Sequence, residues 1–254
     1  MTNWRGLYTV FRKEVMRFLK VTVQTVLTPV VTALLYLVVF AQALASHVQV
    51  YPGISYTAFL IPGLIMMSVI QNAFANSSSS LIQSKMTGNL VFLLLSPVSP
   101  AEFVVAFVSA AVLRGLMVGL GVYLVAQYFV HLPVSHLGWS LLFALLGSAF
   151  LGGLGVVAGV SSDKFEQLAA FQNFIILPLS FLSGVFYSIH SLPSPWDAVS
   201  RFNPFFYIID GFRFGVLGVS DVSPWLSLSV AGGFVAAILT ICLVMLNTGY
   251  KLRQ

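Results

Sequence analysis

Charge is what this chain has least of. Asp, Glu, Lys and Arg make up 7% of its 254 residues, against roughly a quarter in a soluble globular chain. With 58% apolar residues and a mean hydropathy of +0.96, it cannot stay in water as a monomer. Cysteine is nearly absent. Cys242 stands alone in the last apolar stretch, which excludes an internal disulfide and a cysteine-based metal site. No Gly-Lys pair occurs, so the chain lacks the loop whose amides and lysine hold a triphosphate, and it does not hydrolyse nucleotide by itself. His47, His131, His136 and His190 all fall in connections, away from a serine such as Ser183 that would need a base in reach. His131 and His136 are five residues apart across Pro133 and do not converge on one ion, so no metal site is expected. The formal charge of +5 is scattered and forms no basic patch with interleaved aromatics, which argues against a nucleic-acid partner.

What is present is a series of long apolar runs. Roughly 20 apolar residues cross the hydrocarbon core, and six runs meet that length, at 22–45, 56–80, 103–130, 138–160, 168–188 and 224–247. Ala43-Leu44-Ala45 imitates a cleavage site, but the run from Val21 is too long for a signal peptide and reads as a retained first span. The expected fold is therefore all-α: one polytopic membrane domain, 1–254, with six transmembrane helices. Its cations alternate. Arg5, Arg12, Lys13, Arg17 and Lys20 precede the first span, Lys85 and Lys164 lie in the second and fourth connections, and Lys251 and Arg253 end the chain. Arg201 and Arg213 fall on the other side. The positive-inside rule puts both termini in the cytoplasm and all four histidines outside.

Three segments are not spans. Over 1–21, Trp4, Leu7, Tyr8, Phe11, Val15 and Phe18 recur at helical spacing with cations around them. That pattern predicts an amphipathic helix in the membrane interface, or one packed on a partner. The cytoplasmic stretch 81–102 holds an apolar run, Leu90 to Leu95, preceded by Gly88 and stopped by Pro97 and Pro100. It reads as a short helix ending in a sharp turn. The outer stretch 188–223 is rich in proline and aromatics, and a pair of short re-entrant or interfacial helices suits it.

Polar residues inside the spans carry the remaining information. Gln71, Asn72 and Asn76 lie in the second span, and Gln172, Asn173, Ser180 and Ser183 in the fifth. Amides in lipid must be hydrogen-bonded, so these residues face protein or a water-filled path. They serve either as interhelical bonds or as the lining of a substrate route. Arg114 lies near mid-membrane with no acidic residue in the spans to pair with. It bonds helix carbonyls or snorkels, or it is a functional cation that meets an anionic headgroup or a partner. Gly115-xxx-Gly119 and Gly155-xxx-Gly159 predict close packing of the third and fourth spans on each other.

The run Gly88-Asn89-Leu90-Val91-Phe92-Leu93-Leu94-Leu95-Ser96-Pro97 resembles the Gly-Thr-x-Glu-x-Leu-Leu-x-Ser/Thr-Pro pattern of ABC-2 type transporter permeases. Pro178 through Tyr187, then Leu192-Pro193, Trp196, Asn203-Pro204 and Ile209-Asp210-Gly211-Phe212-Arg213 match the same family, as does Pro62-Gly63-Leu64. The likeness covers the whole chain and is strongest to the YadH and NodJ branch. It implies the membrane subunit of an ATP-driven exporter in a bacterial cytoplasmic membrane. Two copies would pair, and each would dock a separate ATPase subunit that binds ATP and magnesium; this chain would bind no cofactor. The coupling segment would comprise Lys85, Gly88, Leu90, Leu93, Leu94 and Pro97, with a second contact at Asp163, Lys164 and Glu166. Substrate would pass between the second and fifth spans of the two copies, and Asn203, Pro204, Asp210 and Arg213 would shape the external insert. Val91 replaces the family's acidic residue. The competing reading is an ion-coupled secondary transporter of amphipathic compounds. The absence of an ionisable Asp, Glu or His relay in the spans argues against it.

Overall fold

The computed structural model describes residues 3–44, 50–130 and 132–251. His47, His131, Arg253 and the expected end of the first span at Ala45 lie outside the described residues, as does the side chain of Leu94. Among the described residues there is no strand, and five helices are long and apolar enough to cross a membrane.

The elements are α1 (Trp4–Leu19), α2 (Thr22–Leu44), α3 (Tyr56–Met86), α4 (Asn89–Leu95), α5 (Pro100–Ala126) and α6 (Leu137–Ser161). They are followed by α7 (Phe165–Phe171), a π-helical turn (Gln172–Ile176), α8 (Leu177–Phe181), α9 (Trp196–Arg201), α10 (Pro204–Leu217) and α11 (Pro224–Thr248). Local chemistry sets the boundaries. Ser99 and Glu102 form a reciprocal capping box at the start of α5 with Pro100 in its first turn, which satisfies amides that have no partner within the helix. Gly88 separates α3 from α4 at φ +71°, in the left-handed region where a side chain would be strained.

Helix α3 is the hub. It packs against α2, α5, α6 and α10 and is buried along most of its length, whereas α2 and α11 lie on the outside. At 31 residues it is about 46 Å long, so it outruns a bilayer core of roughly 30 Å and carries α4 beyond it. Small residues let the neighbours approach. A Cβ at Gly155 would lie 2.5 Å from the Phe74 carbonyl oxygen, and one at Gly115 would lie 3.1 Å from that of Val69. Both glycine motifs therefore face α3, and Gly115 also meets α6, where its Cβ would lie 2.9 Å from Ser148 Oγ. The expected close packing of the third and fourth spans holds, since Gly152 of α6 likewise meets Ala111 of α5, and α3 takes close contacts from both.

The fifth expected span is also revised. Residues 168–188 do not form one long helix. A 17-residue path from Phe165 to Phe181 runs as α7, π turn and α8, about 25 Å long, and the chain then turns. Its two ends still lie at opposite ends of the bundle. Ser162, just before it, bonds Lys85 at the last turn of α3, whereas the Phe186 carbonyl accepts from Tyr56 at the first turn of α3. The first and last described residues share one end: Asn3 donates to the Pro97 carbonyl at 2.8 Å, and Lys251 to that of Ser161 at 2.9 Å.

Candidate functional site

Three places gather the polar residues of this apolar molecule. The first is the end that holds both termini. Helix α4 is tucked down by Leu90, while Val91, Phe92 and Leu95 point outward, Phe92 75% and Leu95 78% exposed. A groove of about 700 Å³ separates α4 from α1, with Arg5 and Lys13 on one wall and Phe92 and Leu93 on the other. Lys164, just before α7, and Glu166 in its first turn are exposed at this end. Lys85, expected as a contact for a partner, is otherwise engaged. Its Nζ donates to the Val160 carbonyl and to that of Ser162 at 3.0 Å, and lies 3.6 Å from Asp163. Lys251 meets the same carboxylate at 3.5 Å. Lys85 and Asp163 thus close the carboxyl end of α6, where cations suit the helix dipole, and tie it to α3 and the tail.

The second place is a polar belt beside α3. Here the structure brings out a residue that sequence reasoning missed. Glu14 of α1 is completely buried. Its carboxylate accepts from Ser80 Oγ at 2.8 Å and from Arg17 Nε at 3.3 Å. Arg17 also donates to Ser79 Oγ at 3.2 Å and to the Asn76 carbonyl and side-chain oxygens at 2.6 and 3.1 Å. The signal was available: Glu14 is the only acidic residue before Glu102 and sits three residues from Arg17 among the cations of α1. The buried face of α1 is accordingly Val10, Glu14 and Phe18, with Trp4 and Tyr8 left exposed, which shifts the expected apolar face around the helix.

Next to this belt, Arg114 Nη2 donates to Asn72 Oδ1 at 3.3 Å. A cavity of about 460 Å³ opens beside them, lined by α1, α2, α3, Arg114 and Gln172. It unites Gln71 and Asn72 of the second expected span with Gln172 of the fifth. Asn76 is engaged by Arg17, and Asn173 lies exposed one position past Gln172. Ser180 and Ser183 are buried and donate back to the carbonyls of Ile176 and Ser180, and neither lines this cavity.

The third place is the opposite end of the bundle. Arg213 and Asp210 of α10 are both completely buried and 3.9 Å apart. Arg213 donates to the Gly184 carbonyl at 2.6 Å and lies over the Phe59 ring at 4.1 Å, a cation–π contact. Asp210 accepts from the amides of Asp221 and Val222. Asp221 accepts from Tyr51 Oη, from Ser188 Oγ at 2.6 Å and from the Ile189 amide at 2.8 Å. Burial pushes the Asp210 carboxyl up to about 6, against the pull of Arg213. Burial, and then the bond to Asp221, holds the Tyr51 hydroxyl well above its usual value. Asn203 caps α10 by accepting from the Phe205 amide and donates to the Leu179 carbonyl, with Pro204 in the first turn. The four expected residues of the insert thus form its internal fastening, and α9 and α10 are the expected pair of short helices.

Comparison with known proteins extends this geometry. The profile described as "ABC-2 type transporter" matches residues 5–217. The chain is 36% identical over 251 residues to the inner membrane transport permease YadH of Escherichia coli K12, covering 99% of this chain and 98% of that one. It is 26% identical to nodulation protein J of Rhizobium leguminosarum bv. viciae, over 85% of this chain and 83% of the relative. With nodulation protein J of Rhizobium meliloti it shares 25% identity over 85% and 82%.

Proposed function

Because the chain belongs to the ABC-2 type transporter family, we propose that it is the membrane subunit of an ATP-binding cassette exporter, working as a pair of copies in the bacterial inner membrane and driven by a separate ATPase. The single observation that carries this reading is α4. It is a short apolar helix held past the end of a 31-residue span, with Val91, Phe92 and Leu95 uncovered. A rigid handle of this kind suits a partner that pushes, and α3, the hub of the bundle, would carry the displacement to the spans packed on it. That end, with both termini, is the cytoplasmic one by the distribution of lysine and arginine. Val91 stands where the family pattern has an acid, so the contact is apolar at its centre, with Lys164 and Glu166 at its rim.

Substrate passes beside α3, where Gln71, Asn72 and Gln172 line one cavity. Nucleotide-driven approach of two ATPase subunits biases the paired bundles between inward- and outward-facing states. The test is co-purification from membranes with the cognate ATPase. Phe92→Asp and Leu95→Asp should each lower the recovered ATPase at least fivefold while the membrane subunit assembles normally. Full recovery with both variants would overturn the α4 assignment. ATP hydrolysis by the purified chain alone, or uphill uptake driven by an ion gradient without a partner, would overturn the function itself.

A further inference from the structure

The cavity of about 460 Å³ beside α2 is unbalanced in charge. Its lining includes two guanidinium groups, Arg17 and Arg114, and no carboxylate. Arg17 is matched by Glu14 behind it. Arg114 enters no ion pair among the described residues, and its hydrogen bond to Asn72 is to a neutral acceptor. Two buried polar atoms on this wall have no partner, Arg114 Nε and Gln71 Nε2. Both are donors, shut off from water as the side chains stand. What this wall lacks is therefore an acceptor with negative charge, and a water would leave the cation uncompensated.

Position and shape narrow the ligand. Arg114 lies 14 residues along α5 from Pro100, about 21 Å from that end, well below the interface. Gln24 and Thr28 of α2, one turn apart on the opposite wall, are both exposed, so the cavity communicates with the outside of the bundle. We infer that this cavity is a binding site for the phosphate group of an amphiphile. Arg114 and Gln71 hold the phosphate, whose oxygens take a guanidinium in paired, charge-assisted bonds, and Gln24 and Thr28 face the rest of the polar head. This deepens the transport reading by naming a ligand chemistry for the same cavity, and it rests on that reading only where the ligand is taken as cargo. The phosphate could belong to a resident membrane lipid or to a transported molecule.

The test is equilibrium binding of radiolabelled dodecyl phosphate to the full chain in nanodiscs of phosphatidylcholine, with empty nanodiscs and labelled dodecyl maltoside as references. Saturable binding of the phosphate above both references is expected. Arg114→Gln should weaken it roughly tenfold or more, as loss of a charge-assisted bond does, and Arg114→Lys should keep most of it. Gln71→Leu should weaken it severalfold, and it carries the test should Arg114→Gln fail to assemble. Binding no stronger than that of the maltoside, or unaffected by both Arg114→Gln and Gln71→Leu, would overturn the inference.

A second arm separates the two sources. Arg114-dependent stimulation of ATP hydrolysis by dodecyl phosphate in the complex with the ATPase identifies cargo. Arg114-dependent retention of native phosphatidylglycerol through purification, without stimulation, identifies a resident lipid. Both uphold the site. Arg114-dependent binding by a chain that couples to no ATPase would sink the transport reading and leave the site standing.

Discussion

Glu14 shows how much one carboxylate decides in a chain this poor in charge. Completely buried against α3, it holds Arg17 and Ser80 and fastens the amphipathic helix to the hub. Glu14→Ala leaves a cation half-buried without its counter-charge. Such losses cost about 3–5 kcal/mol when fully buried, and about 2 kcal/mol is expected here because Arg17 is partly exposed. That corresponds to roughly 4–8 °C in thermal unfolding in mild detergent. Glu14→Ala with Arg17→Met should be less destabilised than Glu14→Ala alone, since removing both charges leaves neither stranded; a double variant at least as unstable would contradict the pairing. At the other end, Asp210 titrates near 6 in the folded chain, raised from 3.8. A carboxyl whose folded value is raised binds its proton more tightly when folded, so its stabilising contribution is present at low pH and lost as pH rises through 6. Wild type should therefore gain stability relative to Asp210→Asn as pH falls from 6 to 4, and a difference constant across that window would refute the assignment. The sequence displayed Arg114, Asp210 and Arg213 as charges in apolar surroundings. It hid their partners, because Asn72, Gly184 and Asp221 approach them only through the fold.

Among the elements, α2, α3, α5, α6 and α11 were legible because each is a long apolar run, and α3, α5 and α11 also begin at Ser or Pro signals. The short α4 was legible for the same reason at smaller scale, from Gly88, Pro97 and Pro100. The route from α7 to α8 was not. A π turn leaves no composition signal, so the break at Gln172–Ile176 was not legible in the apolar run. The glycine motifs announced the close packing of α5 and α6 but not that α3 shares it, since any neighbouring helix satisfies the same pattern. That packing is testable by contrast. A Cβ at Gly155 would lie 2.5 Å from the Phe74 carbonyl oxygen, whereas one at Gly233 on α11 would meet nothing within 4 Å. Gly155→Val should destabilise by about 1–3 kcal/mol or more, the usual cost of overpacking. Gly233→Val should be nearly neutral in thermal unfolding. Equal effects would place α6 and α3 further apart than described.

At the scale of the whole molecule, the bundle has a fixed hub, a handle at one end and an internally fastened insert at the other. Asp210 is buried and Asp221 partly buried in the insert, away from the residues that line the cavity beside α3, and Glu14, buried behind Arg17 next to that cavity, is committed to its ion pair. On the proposed function, the work of transport enters from outside, through α4. Lone, buried Cys242 makes this testable with a single engineered thiol. In a Cys242→Ala background, Phe92→Cys should be reached in intact cells only by membrane-permeant maleimides, and should crosslink to the cognate ATPase subunit with a short bifunctional reagent. Labelling of that thiol in intact cells by an impermeant maleimide, with no crosslink to the ATPase, would place α4 on the outer face and contradict the account.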